Sequence, residues 1–167
     1  MRSQRIGLMF QQFELLEYLS VRDNILLPYH ISPALEIDAA VRERAEQLLV
    51  KLGIRHTADR PPHQLSQGEQ QRVAIGRALI AEPDLLICDE PTGNLDEATG
   101  AQVTELFQRL HAERGLTIVA VTHEPLLAQA ASRVLRLKAG KLMGEGFESS
   151  ADSEEAPATE AVAAVAT

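Results

Sequence analysis

The sequence predicts an α/β domain, a mostly parallel sheet with flanking helices, and three observations predict it. Leu85-Leu86-Ile87-Cys88 and Thr117-Ile118-Val119-Ala120-Val121 are short apolar runs of strand length, the second strongly β-forming. Between them, Glu97 to Glu113 carries the helical stripe Val103, Leu106, Phe107 and Leu110. Strand, helix and strand with short links make a βαβ unit, so the two strands run parallel through a right-handed crossover. Third, 167 residues at 45% hydrophobic and 24% charged supply enough apolar side chain for one core, which excludes disorder throughout.

Taken in order, Ile6-Gly7-Leu8-Met9-Phe10 followed by Gln11-Gln12 reads as a buried strand running into a loop. From Asp38 to Leu52 the apolar period is helical, with Asp38 as N-cap and Gly53 as the stop. Ser66-Gln67-Gly68-Glu69 is a capping box opening a helix to about Ala81, ended by Pro83. Leu85 to Cys88 lies between a proline-marked turn and two acids, the pattern of a strand covered on both faces. Gly115 stops the crossover helix. A short helix near Leu126 to Ala131 and a last strand, Val134 to Lys138, complete a folded region of residues 1–144, with a helical subdomain at about residues 20–80. Residues 145–167 read as a disordered solvating tail, with a docking helix over Ala161 to Ala166 as the alternative.

Net charge is -8, yet Glu145, Glu148, Asp152, Glu154, Glu155 and Glu160 lie in that tail, which contains no base. The rest holds 16 bases against 18 acids, so the acidity describes the tail; nucleic acid is not expected as a partner. Cys88 alone cannot build a disulfide framework and fits a reducing compartment. No apolar run approaches the roughly 18 to 20 residues that cross a bilayer.

Asp89-Glu90 places two carboxylates at the carboxyl end of a parallel strand, where open α/β sheets hold ligands. Asp89 suits Mg²⁺, and Glu90 suits polarising a water that attacks a γ-phosphate; the alternative is a pair of solvated acids. The Ser66 turn points free N–H groups outward at a helix start, an anion site unless it is only a cap.

In this order the motifs closely resemble the nucleotide-binding subunit of ATP-binding cassette (ABC) transporters, within the P-loop NTPase class. Leu65 to Gln70 resembles the LSGGQ motif, with Gln67 at a usual glycine, and Leu85 to Glu90 resembles the Walker B strand. Asn94-Leu95-Asp96 resembles the D-loop, His123 the switch histidine, and Phe10-Gln11-Gln12-Phe13 the Q-loop. The resemblance covers roughly residues 5–143, and Pro91 to Asp96 is most similar to the lipoprotein-release, macrolide-export and cell-division branch.

That resemblance implies ATP and Mg²⁺, with Glu90, His123 and Gln11 catalytic and Asp89 and Gln11 at the metal. It implies nucleotide contacts from Ser66, Gln67, Gly68, Glu69 and Asp96. The implied partners are a transmembrane transporter subunit and a second ABC ATPase subunit, in a homo- or heterodimer. The implied location is cytoplasmic, peripheral on the inner face of the plasma membrane. The family's P-loop, G-x-x-x-x-G-K-[ST], has no match: Gly140-Lys141 is followed by Leu142 and reads as a hairpin turn. The expectation is a domain part that starts just before the Q-loop, through a start-site error or split gene, and is inactive and marginal alone. In the family's sheet the P-loop strand lies between the equivalents of 117–121 and 133–138, so a gap with unpaired backbone is expected there. The alternative function is a non-catalytic ABC-like module, or a gene fragment, pairing with a complete subunit.

Overall fold

The computed structural model describes residues 6–33, 35–138, 141–145 and 160–165. The chain divides into two compact units, Met1–Pro83 and Asp84–Thr167.

In the first unit, β1 (Ile6–Met9) precedes three helices, α1 (Val21–Ile31), α2 (Ala39–Lys51) and α3 (Gln67–Leu79). Their starts are set by side chains that satisfy orphan backbone N–H groups. Asp38 Oδ1 accepts from Val41 N at 2.8 Å, and Gly53, at φ +69°, ends α2 in the left-handed region. At α3 the Ser66 hydroxyl accepts from Glu69 N, while Glu69 Oε2 accepts from Ser66 N at 2.8 Å, the reciprocal box expected. The helix stops at Leu79, short of Ala81, because the chain reverses through Glu82 at φ +52°.

Within the expected helical subdomain, no separate helix is expected over 21–31 from the sequence. Pro28 interrupts the local signal, since it removes a helical donor. What holds α1 is the Ser20 cap, whose hydroxyl accepts from Asp23 N at 3.1 Å, together with bonds to the segment just before it. Fully buried Asn24 donates through its amide to the carbonyls of Leu16 and Ser20 and accepts from Leu16 N at 2.8 Å, tying the preceding loop to the helix. Arg77 of α3 reaches the carbonyls of Phe13 and Glu14 from the other side.

The second unit begins with β2 (Leu85–Asp89), α4 (Glu97–Arg114) and β3 (Thr117–Thr122). β2 and β3 are parallel, Leu85 opposite Thr117 and Asp89 opposite Val121, as the crossover requires. Asp96 caps α4, and Gly115 closes it at φ +62°. Then follow α5 (Pro125–Gln129), β4 (Arg133–Lys138) and β5 (Lys141–Glu145). β4 and β5 pair antiparallel with Lys138 opposite Lys141; Gly140, where the turn is expected, lies outside the described residues. The expectation that β2 is covered on both faces is corrected. Leu86 and Cys88 are fully buried while Ile87 is 36% exposed, because a single crossover helix covers a single face.

The tail expectation is corrected as well. Glu160–Val165 form a strand, β6, between β3 and β4 and antiparallel to both. The gap expected there is therefore filled. Ala161 to Val165 carry no side chain larger than valine, and the facing main-chain groups of β3 and β4 supply donors and acceptors along its length. Residues 146–159, Ala166 and Thr167 lie outside the described residues.

Where α3 meets its neighbours, a Cβ on Gly76 would stand 2.9 Å from Leu52 Cδ1 and 3.1 Å from Ile25 Cδ1, both side chains fully buried. Alanine would gain about 1 kcal/mol of helix propensity. Overpacking costs about 1–3 kcal/mol. Gly76→Ala is therefore expected to lower unfolding free energy by about 1 kcal/mol, and Gly76→Val by more. Urea denaturation midpoints check this; a stabilised Gly76→Ala would refute the packing argument.

Candidate functional site

Because β2 and β3 are parallel, both carboxyl ends reach the same edge of the sheet, and residues far apart in sequence meet there. Glu90 follows β2 directly; its N–H donates to Val121 O at 2.9 Å, one further rung beyond the strand. Its φ of +46° is unfavourable for a residue with a Cβ, and strain of this kind is held where the surrounding structure needs it. Here it accompanies a side chain in contact with the next strand's end. His123, directly after β3, donates Nδ1–H to Glu90 Oε1 at 2.7 Å. Thr122 Oγ1 accepts from Glu124 N at 3.0 Å and turns the chain after His123, while His123 Nε2 stands 3.7 Å from Glu124 Oε1.

The two partners differ in exposure. Glu90 keeps 13% of its side-chain surface in solvent and His123 keeps 62%. Glu90 Oε2 is buried and has no hydrogen-bond partner, as is Thr92 Oγ1; these are the two such buried side-chain atoms among the described residues. A half-satisfied carboxylate in this position can accept a hydrogen bond from a bound water. Gly93 fixes the approach on the other side: its N–H reaches Glu90 O, and a Cβ there would be 3.3 Å from Glu90 Oε2 and 3.7 Å from His123 Cε1. Gly93 has no expected role from the sequence; its signal there is a glycine two residues past the Pro91 that follows Glu90.

Asp96, in the same unit, is exposed and caps α4. The Thr99 hydroxyl, then the Thr99 N–H, hold its carboxyl below the usual range. It lines a cavity of about 440 Å³ with Thr92, Glu97, Glu124, Pro125 and Leu126. Asp89 is exposed at the end of β2. Among the described residues no group of three or more His, Cys, Asp or Glu is placed to hold a metal. The donors fit Mg²⁺ in the manner usual for that ion, one carboxylate completed by water and phosphate oxygens, and the orphaned Glu90 oxygen fits an attacking water. Burial pushes the Cys88 thiol pKa far up, so this residue is packing.

The remaining predicted residues belong to the Met1–Pro83 unit. Gln11 is exposed in the bend after β1, in the loop that Asn24 and Arg77 brace. Ser66 and Gln67 are exposed and Gly68 half-buried at the start of α3. Gln67 projects where the family has glycine, at a position open to solvent. Glu69 is held below the usual carboxylate range, chiefly by the Ser66 N–H, and lies 3.1 Å from His56 Nε2.

The Glu90 hydrogen bond raises the His123 pKa above its ordinary 6.5, against a smaller opposing effect of burial. The sign follows: the folded value exceeds the unfolded one, so this contact stabilises fully below about pH 6.5 and is lost as pH rises through the raised value. Titration of the His123 ring by NMR is expected to give a midpoint above 6.5, and Glu90→Gln to lower it. An unchanged midpoint in Glu90→Gln would show that the pair is not formed.

A family model described as "ABC transporter" matches residues 1–93. The chain is 47% identical over 145 residues to the macrolide export ATP-binding/permease protein MacB of Syntrophobacter fumaroxidans, covering 87% of this chain and 20% of that protein. It is 42% identical over 144 residues to the lipoprotein-releasing system ATP-binding protein LolD of Geobacter metallireducens, covering 86% of this chain and 63% of that one. The chain thus spans less than two thirds of the curated relatives it matches. Among solved structures, the dimeric post-hydrolysis ATP-binding cassette MJ0796 bound to ADP and Pi superposes with a TM-score of 0.75 at 36% identity, over 86% of this chain and 62% of that one. Sequence, fold and the strand-end arrangement agree, and the chain belongs to the ABC transporter family of ATP-binding cassettes.

Proposed function

We propose that the chain is the hydrolytic and partner-facing part of the ATP-binding subunit of an ABC transporter of the macrolide-export or lipoprotein-release type. The observation that carries this is Glu90, with one carboxylate oxygen held by His123 and the other buried and unpartnered at the carboxyl end of β2. ATP with Mg²⁺ supplies an electrophilic γ-phosphorus when bound. Glu90 then orients water through Oε2 and takes its proton, while His123 fixes the carboxylate through Oε1. Gly93 keeps space beside that oxygen. Asp89 is the metal-side carboxylate and Gln11 the sensor of metal and water. Ser66, Gln67, Gly68 and Glu69 contact the nucleotide held by a second ABC subunit, and Asp96 lies at that junction. Transport comes from a membrane partner, as the transporter type proposed here requires. The location is the cytoplasmic face of that membrane.

The sequence contains no G-x-x-x-x-G-K-[ST] run. The test therefore supplies one, by mixing the full chain first with a polypeptide carrying the family's P-loop segment and separately with a complete ABC ATPase subunit. In the first mixture phosphate release is expected, and Glu90→Gln is expected to lower it about 10²- to 10⁴-fold. Turnover indifferent to Glu90→Gln would overturn the assignment. Stimulation in the second mixture alone, lost in Ser66→Arg and unchanged in Glu90→Gln, would instead establish the non-catalytic module.

A further inference from the structure

Leu65 to Glu69 departs from the wording LSGGQ at its third and last letters: Gln67 stands at a glycine, and Glu69 stands at the glutamine. The second departure puts a carboxylate where the motif has a neutral amide. Glu69 Oε2 accepts from Ser66 N at 2.8 Å and from the Ser66 hydroxyl at 2.9 Å. The negative charge therefore sits on the same turn whose hydroxyl and N–H groups a phosphate would use. Like charges repel, so this carboxylate opposes an anionic ligand unless a cation cancels it.

His56 supplies that cation. It donates Nε2–H to Glu69 Oε1 at 3.1 Å, on the carboxylate oxygen that Ser66 does not engage. After the Ser66 N–H, whose hydrogen bond is the largest influence, the bond and the charge of His56 add to holding Glu69 below the usual carboxylate range. Its place is set by the core: His56 lies in the short turn Arg55–Thr57, between buried Ile54 and Thr57, and the Thr57 hydroxyl donates to Ile54 O at 2.7 Å. Neighbouring cations serve other acceptors. Arg55 pairs with Glu46 at 3.4 Å, Arg22 with Asp59 at 3.2 Å, and Arg72 donates to Leu52 O at 2.9 Å.

We propose that His56 is a positioning residue for the Ser66 turn: paired with Glu69, it cancels the carboxylate's charge, so that the phosphate of a nucleotide held by a second ABC subunit can approach. The pairing also keeps Glu69 satisfied during that approach. When the Ser66 O–H turns from Glu69 Oε2 to a phosphate oxygen, Glu69 retains the Ser66 N–H and the His56 N–H. The proposal rests on the assignment of Ser66 to a nucleotide held by that second subunit.

The test mixes the full chain with a complete ABC ATPase subunit and reads phosphate release against the concentration of this chain. His56→Ala is expected to raise the concentration for half-maximal stimulation about 2- to 5-fold, with the maximal rate little changed. His56→Lys, which keeps a charge, is expected to restore it; His56→Gln, which keeps only a donor, restores less. Raising salt to about 0.5 M is expected to shrink these differences. In a Glu69→Gln chain, where no charge needs cancelling, the same substitutions are expected to change nothing. If alanine loosens the turn, the comparison of His56→Lys with His56→Gln carries the same information. The proposal alone is overturned if His56→Lys and His56→Gln behave alike, or if the His56 effects persist undiminished in Glu69→Gln. Absent stimulation by the unsubstituted chain, or stimulation that survives Ser66→Arg, overturns the nucleotide assignment and this proposal with it.

Discussion

Main-chain hydrogen bonding inside the sheet is the constraint on which the Asp84–Thr167 unit depends. A buried N–H or C=O without a partner costs about 1–3 kcal/mol, and a whole domain is stable by only about 5–15 kcal/mol. β3 satisfies one edge by parallel pairing with β2 and the other by antiparallel pairing with β6. β4 is paired with β6 on one side and β5 on the other. The six residues of β6 thus complete two strands at once. The composition of the tail, acidic and poor in large apolar residues, gave no hint of this, because the demand comes from strands far away in sequence.

The same sheet geometry builds the candidate site. Parallel pairing puts the ends of β2 and β3 side by side, which is why Glu90 and His123 meet across an intervening helix of 18 residues. The positive φ at Glu90, the turn bonded by Thr122 and the bare Cα of Gly93 are local adjustments around that meeting point. Together they leave one carboxylate oxygen engaged and one waiting. The capping box at Ser66 and the N-cap at Asp96 are different in kind: each satisfies its own helix first, and any ligand contact is added to a group with a structural duty.

Legibility in the sequence followed the range of the interactions. The caps at Asp38 and Ser66 and the stops at Gly53 and Gly115 were readable because cap and helix lie within one turn. The βαβ unit was readable because its strands and crossover are contiguous. α1 was missed for a different reason: Pro28 and a polar Asn24 mask the apolar period, although its Ser20 cap and the Asn24 bonds to Leu16 and Ser20 lie close in sequence. Ile87 misled in the other direction: four apolar residues in a row suggested two covered faces, and its side chain is partly open. Of the site, Glu90 and His123 were legible through motif order, but their hydrogen bond, the orphaned oxygen and the role of Gly93 required coordinates.

Cys88 has a consequence of its own. It is the single thiol of the chain, fully buried on β2, one residue from Asp89 and in register with Ala120. An alkylating reagent can reach it only when the β2–β3 edge opens, so labelling kinetics become a native clock for breathing of the strand that carries the candidate carboxylates. Any ligand that clamps those strand ends would slow that clock, reporting occupancy without a catalytic assay.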